Sequence, residues 1–542
     1  MQFKSTQQDE RCVAFTGGRI LTMGSPEEVD SVIFQSGKII KTGPSKILDE
    51  FIPEDIINLH GRTLVPGFID AHLHLSFGCF LPEWADLNGC ASKEEILARM
   101  KKYAETYPQK EWIVGFPWLN SLYDGTGLSR ADLDAIFPDR SVVLIHTTFH
   151  SMLVNSQALK HAEITRESPD PRSGFIERDK NGELSGTLIE SACIPLYIQI
   201  LAFDSTTYAD LIERSGRELH QFGITAIHDP GVTPDAESAY SQLNAEKRLP
   251  VSVLMMPHGM TLLDNQVGER LQGPISGEGD EWLRTGPVKV FGDGVLMEST
   301  AISVTINGEK IASGTYRNDF QDVLIDAVSH GFQVCVHCLG NLTVDASLDC
   351  FESARKHAPP GFVIRPRLEH LNILSQDQID RLASLNGCAC VQPQFLMRAG
   401  HLNKTRFEGT KWFAYADMRD AGVVLAAGSD YPGGFMDARD VIACCRMGAT
   451  MNDGQGNTIS PEQALPFEQW LWMYTAGSAY VGGQECERGM IQEGLVADFV
   501  ILEGDLNPDN PPVVAETWIA GRRVYLRTRN ENKTPVPGFD HE

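Results

Sequence analysis

Short apolar runs alternate with helix-like segments through the middle of the chain. These runs have the length and aliphatic content of buried strands, and segments such as 319–330 and 342–357 between them have helical spacing of apolar residues. The runs lie at residues 65–74, 223–228, 251–255, 288–291, 332–337, 367–370, 388–392 and 423–428. Eight parallel strands joined by helices form a (β/α)₈ barrel. The pattern therefore predicts an α/β protein with a TIM-type (β/α)₈ barrel over residues 65–480.

Both ends of the chain have a different pattern, in which short strand-like runs are broken by turns. Such runs lie at 12–20 and 31–40 near the start, and at 497–502 and 517–525 near the end. Neither end has enough strands to be stable by itself. We therefore expect residues 1–64 and 481–542 to form one composite β-sandwich domain.

The gap between the first and second predicted barrel strands is too long for a single helical crossover. Residues 76–205 are therefore predicted to hold an inserted subdomain. Aromatic residues are concentrated in this region, namely Phe77, Phe80, Trp84, Trp112, Phe116, Trp118 and Phe149. They fit either the subdomain's own core or an apolar lid that favours hydrophobic substrates.

Composition and charge narrow the range of partners. The 542 residues are 42% hydrophobic and carry a net charge of −26, which argues against nucleic acid or an anionic membrane as a partner. The polar start lacks the apolar core of a signal peptide, and no apolar run reaches the roughly 18 residues of a membrane span. The twelve cysteines are scattered and fit buried free thiols. We expect a cytoplasmic protein that acts on a small molecule.

Side chains with metal-binding chemistry follow the predicted barrel strands. Such a barrel places its functional side chains at the C-terminal ends of the strands. His72 and His74 are two residues apart at the end of the first strand, so they share one face and can bind a single ion. The other strand ends contribute Lys289, His337, His370 and Asp430. Imidazole and carboxylate bind zinc and similar divalent ions, whereas a lysine fits such a set only when carbon dioxide carboxylates it.

A second pattern surrounds one of these histidines. Cys335 and Cys338 flank His337 in a Cys-x-x-Cys arrangement, which is typical of redox and zinc-ribbon sites. The sequence has no second pair with ribbon spacing. We therefore interpret both cysteines as packing residues.

These motifs closely resemble the amidohydrolase superfamily across nearly the whole chain. The resemblance rests on residues 64–74, 144–150, 155–159, 288–294, 336–340, 367–370, 392–393, 428–432 and 494–500. The detailed pattern is similar to the YtcJ-like branch, the amidohydrolase-3 family that includes N-substituted formamide deformylases. Two positions depart from it: Gly340-Asn341 stands where the family often has Gly-Asp, and 152–154 lacks the usual aromatic residue before Asn-Ser.

The resemblance implies a role for each residue of the set. His72, His74, Lys289 and Asp430 would bind the more buried metal ion, and His337 and His370 would bind the second, bridged by carboxylated Lys289. A hydroxide between the ions would attack a carbonyl carbon, and Asp430 would carry its proton to the leaving nitrogen. The expected cofactor is one or two divalent ions, with Zn²⁺ favoured, and the expected assembly is a homodimer.

The function expected from this chemistry is metal-dependent hydrolysis of a non-peptide carbon–nitrogen bond, such as an amide, in a small and partly hydrophobic molecule. Two alternatives stay open at this point. One is a metal-dependent lyase, such as a decarboxylase, or an isomerase on the same scaffold. The other is a catalytically inactive binding protein.

Seven further residues are candidate substrate contacts. They are Trp84, Trp118, His150, Asn155, His228, Asp293 and Gln392. For His150, Asn155 and His228, a structural hydrogen-bonding role is at least as good an interpretation.

Overall fold

Eight parallel strands lie at the centre of the molecule, which is known from a computed structural model. They are β1 (Phe68–Asp70), β2 (Ile224–Val232), β3 (Ser252–Pro257), β4 (Val288–Phe291), β5 (Val334–Cys338), β6 (Arg367–His370), β7 (Cys388–Val391) and β8 (Val424–Ala427). The structure describes residues 11–118, 127–171, 174–259, 270–294, 300–306, 308–314, 319–399, 408–433, 438–454 and 456–528.

The eight strands are divided between two parallel sheets. One sheet contains β1, β2, β3 and the short strand Leu283–Thr285, and the other runs in the order β4 to β8. Ala71 N donates to Ala427 O at 3.1 Å between β1 and β8, and His258 forms one parallel bridge with Lys289 between β3 and β4. The ladder is thus interrupted at both junctions. The result is a TIM-barrel-like α/β arrangement rather than one continuously closed barrel.

Helices lie between these strands and after the last of them, and bury their apolar faces in the core. They are Ser205–Glu218, Pro234–Ala245, Phe320–Ser329, Asn341–Ala354, Gln376–Ser384, Leu396–Ala399, Tyr415–Asp420, Val441–Thr450, Phe467–Trp472 and Ser478–Val481. Local sequence sets their starts: the Ser375 hydroxyl, for example, accepts a bond from Gln378 N at 3.3 Å.

Strand alternation separates packing residues from functional ones. In β5, Val334, Val336 and Cys338 belong to the main hydrophobic core. His337 lies between them in sequence, so its side chain points to the opposite face. Cys335 and Cys338 are both buried free thiols, in agreement with their interpretation as packing residues.

Strands from both ends of the chain pair in one eight-stranded sheet. Five come from the start (Val13–Leu21, Glu28–Gln35, Lys38–Gly43, Asp55–Asn58 and Thr63–Pro66) and three from the end (Phe499–Glu503, Val513–Ile519 and Arg522–Leu526). The sequence predicted one composite β-sandwich domain from both ends, and the described strands of both ends pair in one mixed sheet. Thr63–Pro66 joins the two ends, because it pairs with Val13–Leu21 on one side and with Phe499–Glu503 on the other.

The segment between β1 and β2 forms a six-stranded mixed sheet of its own. Its strands are Ala85–Asp86, Trp112–Trp118, Ser141–His146, Ser151–Val154, Gly174–Arg178 and Leu184–Glu190. The helices Lys93–Thr106, Arg130–Ile136, Ser156–His161 and Ile194–Ile200 accompany them.

The described part of the chain also contains smaller elements. They are the helices Ile47–Phe51 and Leu75–Gly78, and the strand pairs Ile302–Ile306 with Glu309–Ser313 and Ile373–Leu374 with Lys411–Trp412. Among all described helices, none combines the length and apolarity that crossing a bilayer requires.

The aromatic cluster on the terminal sheet generates a stability prediction. Phe15 is fully buried, with its ring centroid 5.2 Å from those of Phe34 and Trp518. We expect Phe15→Ala to lower the free energy of unfolding by about 3–5 kcal/mol because it leaves a cavity among these rings. Urea unfolding followed by circular dichroism measures this, with Phe15→Leu as the control that leaves a smaller cavity. An unchanged midpoint for Phe15→Ala would show that the cluster does not stabilise the sheet.

Candidate metal centre

The structure brings all six predicted metal-binding residues into one cluster at the C-terminal ends of the central strands. Its members are His72, His74, Lys289, His337, His370 and Asp430. The ring centroids of the four histidines follow one another at 5.2 Å (His74 to His72), 4.8 Å (His72 to His370) and 4.5 Å (His370 to His337). Most of these side chains are buried, and those of His74 and Asp430 keep 23% and 17% exposure.

Three of the side chains converge on one point. Asp430 Oδ1 lies 3.1 Å from His74 Nε2 and 3.4 Å from His72 Nε2. The ligand atoms of these three residues all lie within 4.8 Å of one another, as one metal ion requires. Two imidazoles and a carboxylate are a donor set typical of zinc.

Lys289 lies against the same point. Its Nζ is 3.2 Å from His72 Nε2 and 5.0 Å from the ring centroid of Phe291. The side chain is buried, and it makes no ion pair within the described residues. A buried ammonium without a counter-ion is unfavourable, so this environment fits a lysine whose nitrogen is carboxylated.

The two remaining histidines present the clearest sign of a missing partner. Nε2 of His337 and Nε2 of His370 are buried and have no hydrogen-bond partner among the described residues. His370 Nδ1 donates to Gln392 Oε1 at 2.7 Å, which leaves the lone pair on its Nε2. The nearest carboxylate oxygen to His337 Nε2 is Asp293 Oδ1 at 3.8 Å, too far for a hydrogen bond. Because buried polar atoms are nearly always paired, both nitrogens fit coordination to a metal ion.

Burial and mutual repulsion keep these groups in the ionisation states that bind metal. Burial lowers the pKa of His370 to about 4, and burial with the neighbouring His370 lowers the pKa of His337 well below its usual value. Burial alone would raise the pKa of Asp430, but the neighbouring His74 and His72 hold it below its usual range. Near neutral pH His337 and His370 are thus neutral imidazoles and Asp430 is an ionised carboxylate.

Two of the six residues adopt strained backbone conformations. His370 has φ +77° and Asp430 has φ +51°, in the left-handed region that side chains rarely adopt. Strict strand alternation would place Glu369 and His370 on opposite faces. The left-handed turn at His370 allows both side chains to face the cluster. Strain of this kind is concentrated at functional sites.

Three residues that sequence reasoning missed form hydrogen bonds to the cluster or to each other behind it. Glu369 Oε2 contacts His72 Nδ1 at 2.5 Å, and Arg367 Nε donates to Glu369 Oε1 at 2.6 Å. Asp70 Oδ1 accepts from His72 N at 3.1 Å and from Ser429 N at 2.9 Å, which ties β1 to the end of β8. Asp70 and Arg367 lie two and three residues before a histidine of the cluster, and Glu369 directly precedes His370, so all three fall inside the motif segments 64–74 and 367–370.

Three of the seven candidate substrate contacts adjoin the cluster. Gln392 holds His370, as described above. His150 comes from the inserted subdomain, with its ring centroid 5.8 Å from that of His337 and its Nδ1 2.8 Å from Glu190 Oε2. Asp293 accepts backbone bonds from Leu339 N and Gly340 N, both at 3.0 Å, and so shapes the loop after β5.

The other four candidates lie in packing or structural positions. Trp84 belongs to the main core and Trp118 to the core of the inserted subdomain, which favours the core interpretation over a lid for these two rings. His228 is fully buried, and its Nδ1 accepts from Arg367 at 3.1 Å. Asn155 caps the helix Ser156–His161, and its amide makes four bonds to backbone groups of the subdomain, which accounts for its whole hydrogen-bonding capacity.

Comparisons with known proteins agree with this geometry. The family model described as "Amidohydrolase family" matches residues 55–525. The protein YtcJ of Bacillus subtilis (strain 168) is 29% identical over 537 residues, covering 94% of this chain and 99% of that protein. The N-substituted formamide deformylase of Arthrobacter pascens is 27% identical over 515 residues, covering 91% of this chain and 90% of that enzyme. The crystal structure of an uncharacterized metal-dependent hydrolase from Pyrococcus horikoshii OT3 shares the fold, with a TM-score of 0.73, 24% identity and coverage of 91% of this chain and 98% of that one.

The contact between Gln392 and His370 generates a prediction about metal affinity. We expect Gln392→Leu to weaken metal binding about 10- to 100-fold, because His370 loses the acceptor that fixes its ring and its tautomer. Competition with a chromogenic chelator measures this, and Gln392→Glu, which keeps an acceptor oxygen, is the matched control. Equal affinity in wild type and Gln392→Leu would exclude His370 as a ligand oriented by this bond.

Proposed function

The chain belongs to the amidohydrolase family, and on that premise we propose that it is a metal-dependent hydrolase of a non-peptide carbon–nitrogen bond. The observation that carries the proposal is the pair of buried, unpartnered Nε2 atoms of His337 and His370 beside the His72, His74 and Asp430 cluster. The name of the Arthrobacter relative states that it removes a formyl group from an N-substituted formamide. This supports a small N-substituted amide as the substrate class.

The donor set defines two neighbouring metal subsites. His72, His74 and Asp430 would hold one ion, His337 and His370 would hold the second, and carboxylated Lys289 would supply an oxygen to each. Zn²⁺ is the ion that this mixture of imidazole and carboxylate favours. When bound, such ions lower the pKa of water towards 7 and polarise a carbonyl oxygen.

Asp430 is placed to move the proton that the reaction requires. Hydrolysis forms a bond from water oxygen to the carbonyl carbon and breaks the bond to nitrogen, so one proton must pass from water to the departing amine. Asp430 remains partly exposed while His72, Lys289 and His370 are buried, so its carboxylate is within reach of a substrate. Its low pKa keeps the carboxylate ionised near neutral pH, so it is free to accept a proton and pass it to the more basic amine.

Aromatic side chains beside the histidines support a hydrophobic substituent on the substrate. The Phe291 ring centroid lies 5.6 Å from that of His337, and Phe395 stacks on His370 at 5.4 Å. Pockets for small molecules combine apolar walls of this kind with a few polar groups. An alkyl or aryl group on the amide nitrogen or the acyl carbon would lie against these rings.

The paired subsites predict the metal content of the protein. We expect about two equivalents of divalent metal per chain after purification without chelators, measured by inductively coupled plasma mass spectrometry. Lys289→Met should retain about one equivalent, because the bridging oxygens are lost while the histidines remain. A wild-type protein that holds about one ion would contradict the bridged pair.

Substitution of Asp430 tests the proton-transfer role. We expect Asp430→Asn to lower kcat about 10²- to 10⁴-fold on N-alkyl and N-aryl formamides, while metal is retained through the histidines. Asp417→Asn, the same change at an aspartate that binds Lys411 outside the cluster, is the matched control. Full activity of Asp430→Asn would exclude Asp430 as the proton carrier.

Product analysis tests the class of reaction. In ¹⁸O-labelled water, hydrolysis places solvent oxygen in the carboxylic acid product and releases one amine for each acid. Mass spectrometry of both products measures this. Release of carbon dioxide without labelled acid would instead identify a lyase.

A further inference from the structure

A buried ion pair lies directly behind His72. Glu369 and Arg367 are both almost completely buried. One oxygen of Glu369 accepts from Arg367 Nε at 2.6 Å, and the other contacts His72 Nδ1 at 2.5 Å. A single carboxylate therefore joins a guanidinium to an imidazole inside the barrel-like core.

Arg367 is itself fixed by groups from two other strands. One terminal nitrogen donates to Ala71 O at 2.6 Å, next to His72 in the chain, and the other donates to His228 Nδ1 at 3.1 Å. The guanidinium thus donates to groups on β2 and β6 and to the carbonyl that directly follows β1. Glu369 is consequently held in one orientation before any ion arrives.

The carboxylate determines which nitrogen of His72 carries the proton. An ionised Glu369 paired with Arg367 can only accept, so His72 Nδ1 is the donor and the lone pair lies on Nε2. That Nε2 atom faces Lys289 Nζ at 3.2 Å and Asp430 Oδ1 at 3.4 Å. The lone pair is therefore directed to the metal subsite.

Other histidines of the cluster are fixed in the same way but by neutral acceptors. His74 Nδ1 donates to Pro230 O at 2.8 Å, and His370 Nδ1 donates to Gln392 Oε1 at 2.7 Å. An anionic acceptor makes an imidazole a stronger metal ligand than a neutral acceptor does. Among these three histidines, His72 is the one with an anionic acceptor.

We propose that Glu369 is a positioning residue that makes His72 a stronger imidazole ligand than His74 or His370, so that the subsite of His72, His74 and Asp430 binds its ion more tightly than that of His337 and His370. This inference rests on the proposed function, because it requires metal at both subsites. Glu369 touches neither ion nor substrate and acts through His72 alone.

Cys390 offers a competing role for the same carboxylate. Its Sγ lies within 4.8 Å of ligand atoms of both His72 and Glu369, a grouping that could hold a metal of its own. Both oxygens of Glu369 are already engaged, which leaves the role towards His72.

The test titrates metal into apoprotein prepared with a chelator. Zn²⁺ affinity is measured by chelator competition, and Co²⁺ is added stepwise while the visible spectrum reports each subsite as it fills. We expect Glu369→Gln to weaken the first equivalent about 10- to 100-fold and to change the second by no more than about threefold. The Co²⁺ band of the first equivalent should also change, which a purely structural loss would not produce.

Two controls separate this effect from lost stability. Asp498→Asn breaks another buried pair, in which Arg488 donates to Asp498 at 3.3 Å, and should lower stability while leaving both affinities unchanged. Gln392→Leu should weaken the second equivalent instead of the first. If Glu369→Gln does not fold because Arg367 is left unpaired, Arg367→Met/Glu369→Gln removes both charges and takes its place.

The outcomes distinguish this inference from the function on which it rests. The role of Glu369 is overturned if Glu369→Gln, or the double variant, binds the first equivalent of metal as tightly as the wild type does. Equal weakening of both equivalents overturns it as well. Wild type that binds two ions with equal affinity overturns the ranking of the subsites but leaves the proposed function intact, whereas wild type that binds no metal overturns the proposed function itself.

Discussion

The arrangement of the candidate site depends on one constraint, namely that buried imidazole nitrogens need a partner. His337 and His370 each place an Nε2 atom in the interior with no partner among the described residues. A protein rarely leaves such atoms unpaired, because each one forfeits its bonds to water on folding. Lys289 and Asp430 surround the same space, so a metal centre accounts for the whole arrangement in a way that a structural role for each residue does not.

Part of this cluster lies at the junctions of the two central sheets, next to His72, Lys289 and Asp430, whereas His337 and His370 lie on strands that are continuously paired. At one junction of the two central sheets, Ala71 bonds to Ala427 just before His72, and at the other Lys289 forms a single bridge. The side chains of His72 and Lys289, next to these two junctions, point towards the cluster. Asp70 and Arg367 then hold the ends together through bonds to backbone groups, which fixes the cluster without a continuous ladder.

Local pattern was sufficient for some parts of the site and insufficient for others. The two-residue spacing of His72 and His74 predicted that they share one face of a strand. Both side chains do lie against Asp430, but the two residues follow the end of β1 at Asp70, so strand alternation is not what orients them. His370 breaks that rule through its left-handed φ, which no periodicity reveals. Trp118 and Asn155 were candidates for substrate contact by type, yet the structure surrounds one with core side chains and the other with backbone groups.

The sequence by itself determined the strand-and-helix order and the identity of the side chains at the strand ends, because both depend on neighbours along the chain. The pairing of the two chain ends in one sheet depended on Thr63–Pro66 meeting Phe499–Glu503 across more than four hundred residues. Likewise, only the tertiary structure decided that Glu369 would serve His72, since the two residues are 297 positions apart. Contacts of this kind follow from how the strands assemble, and short-range periodicity carries no information about them.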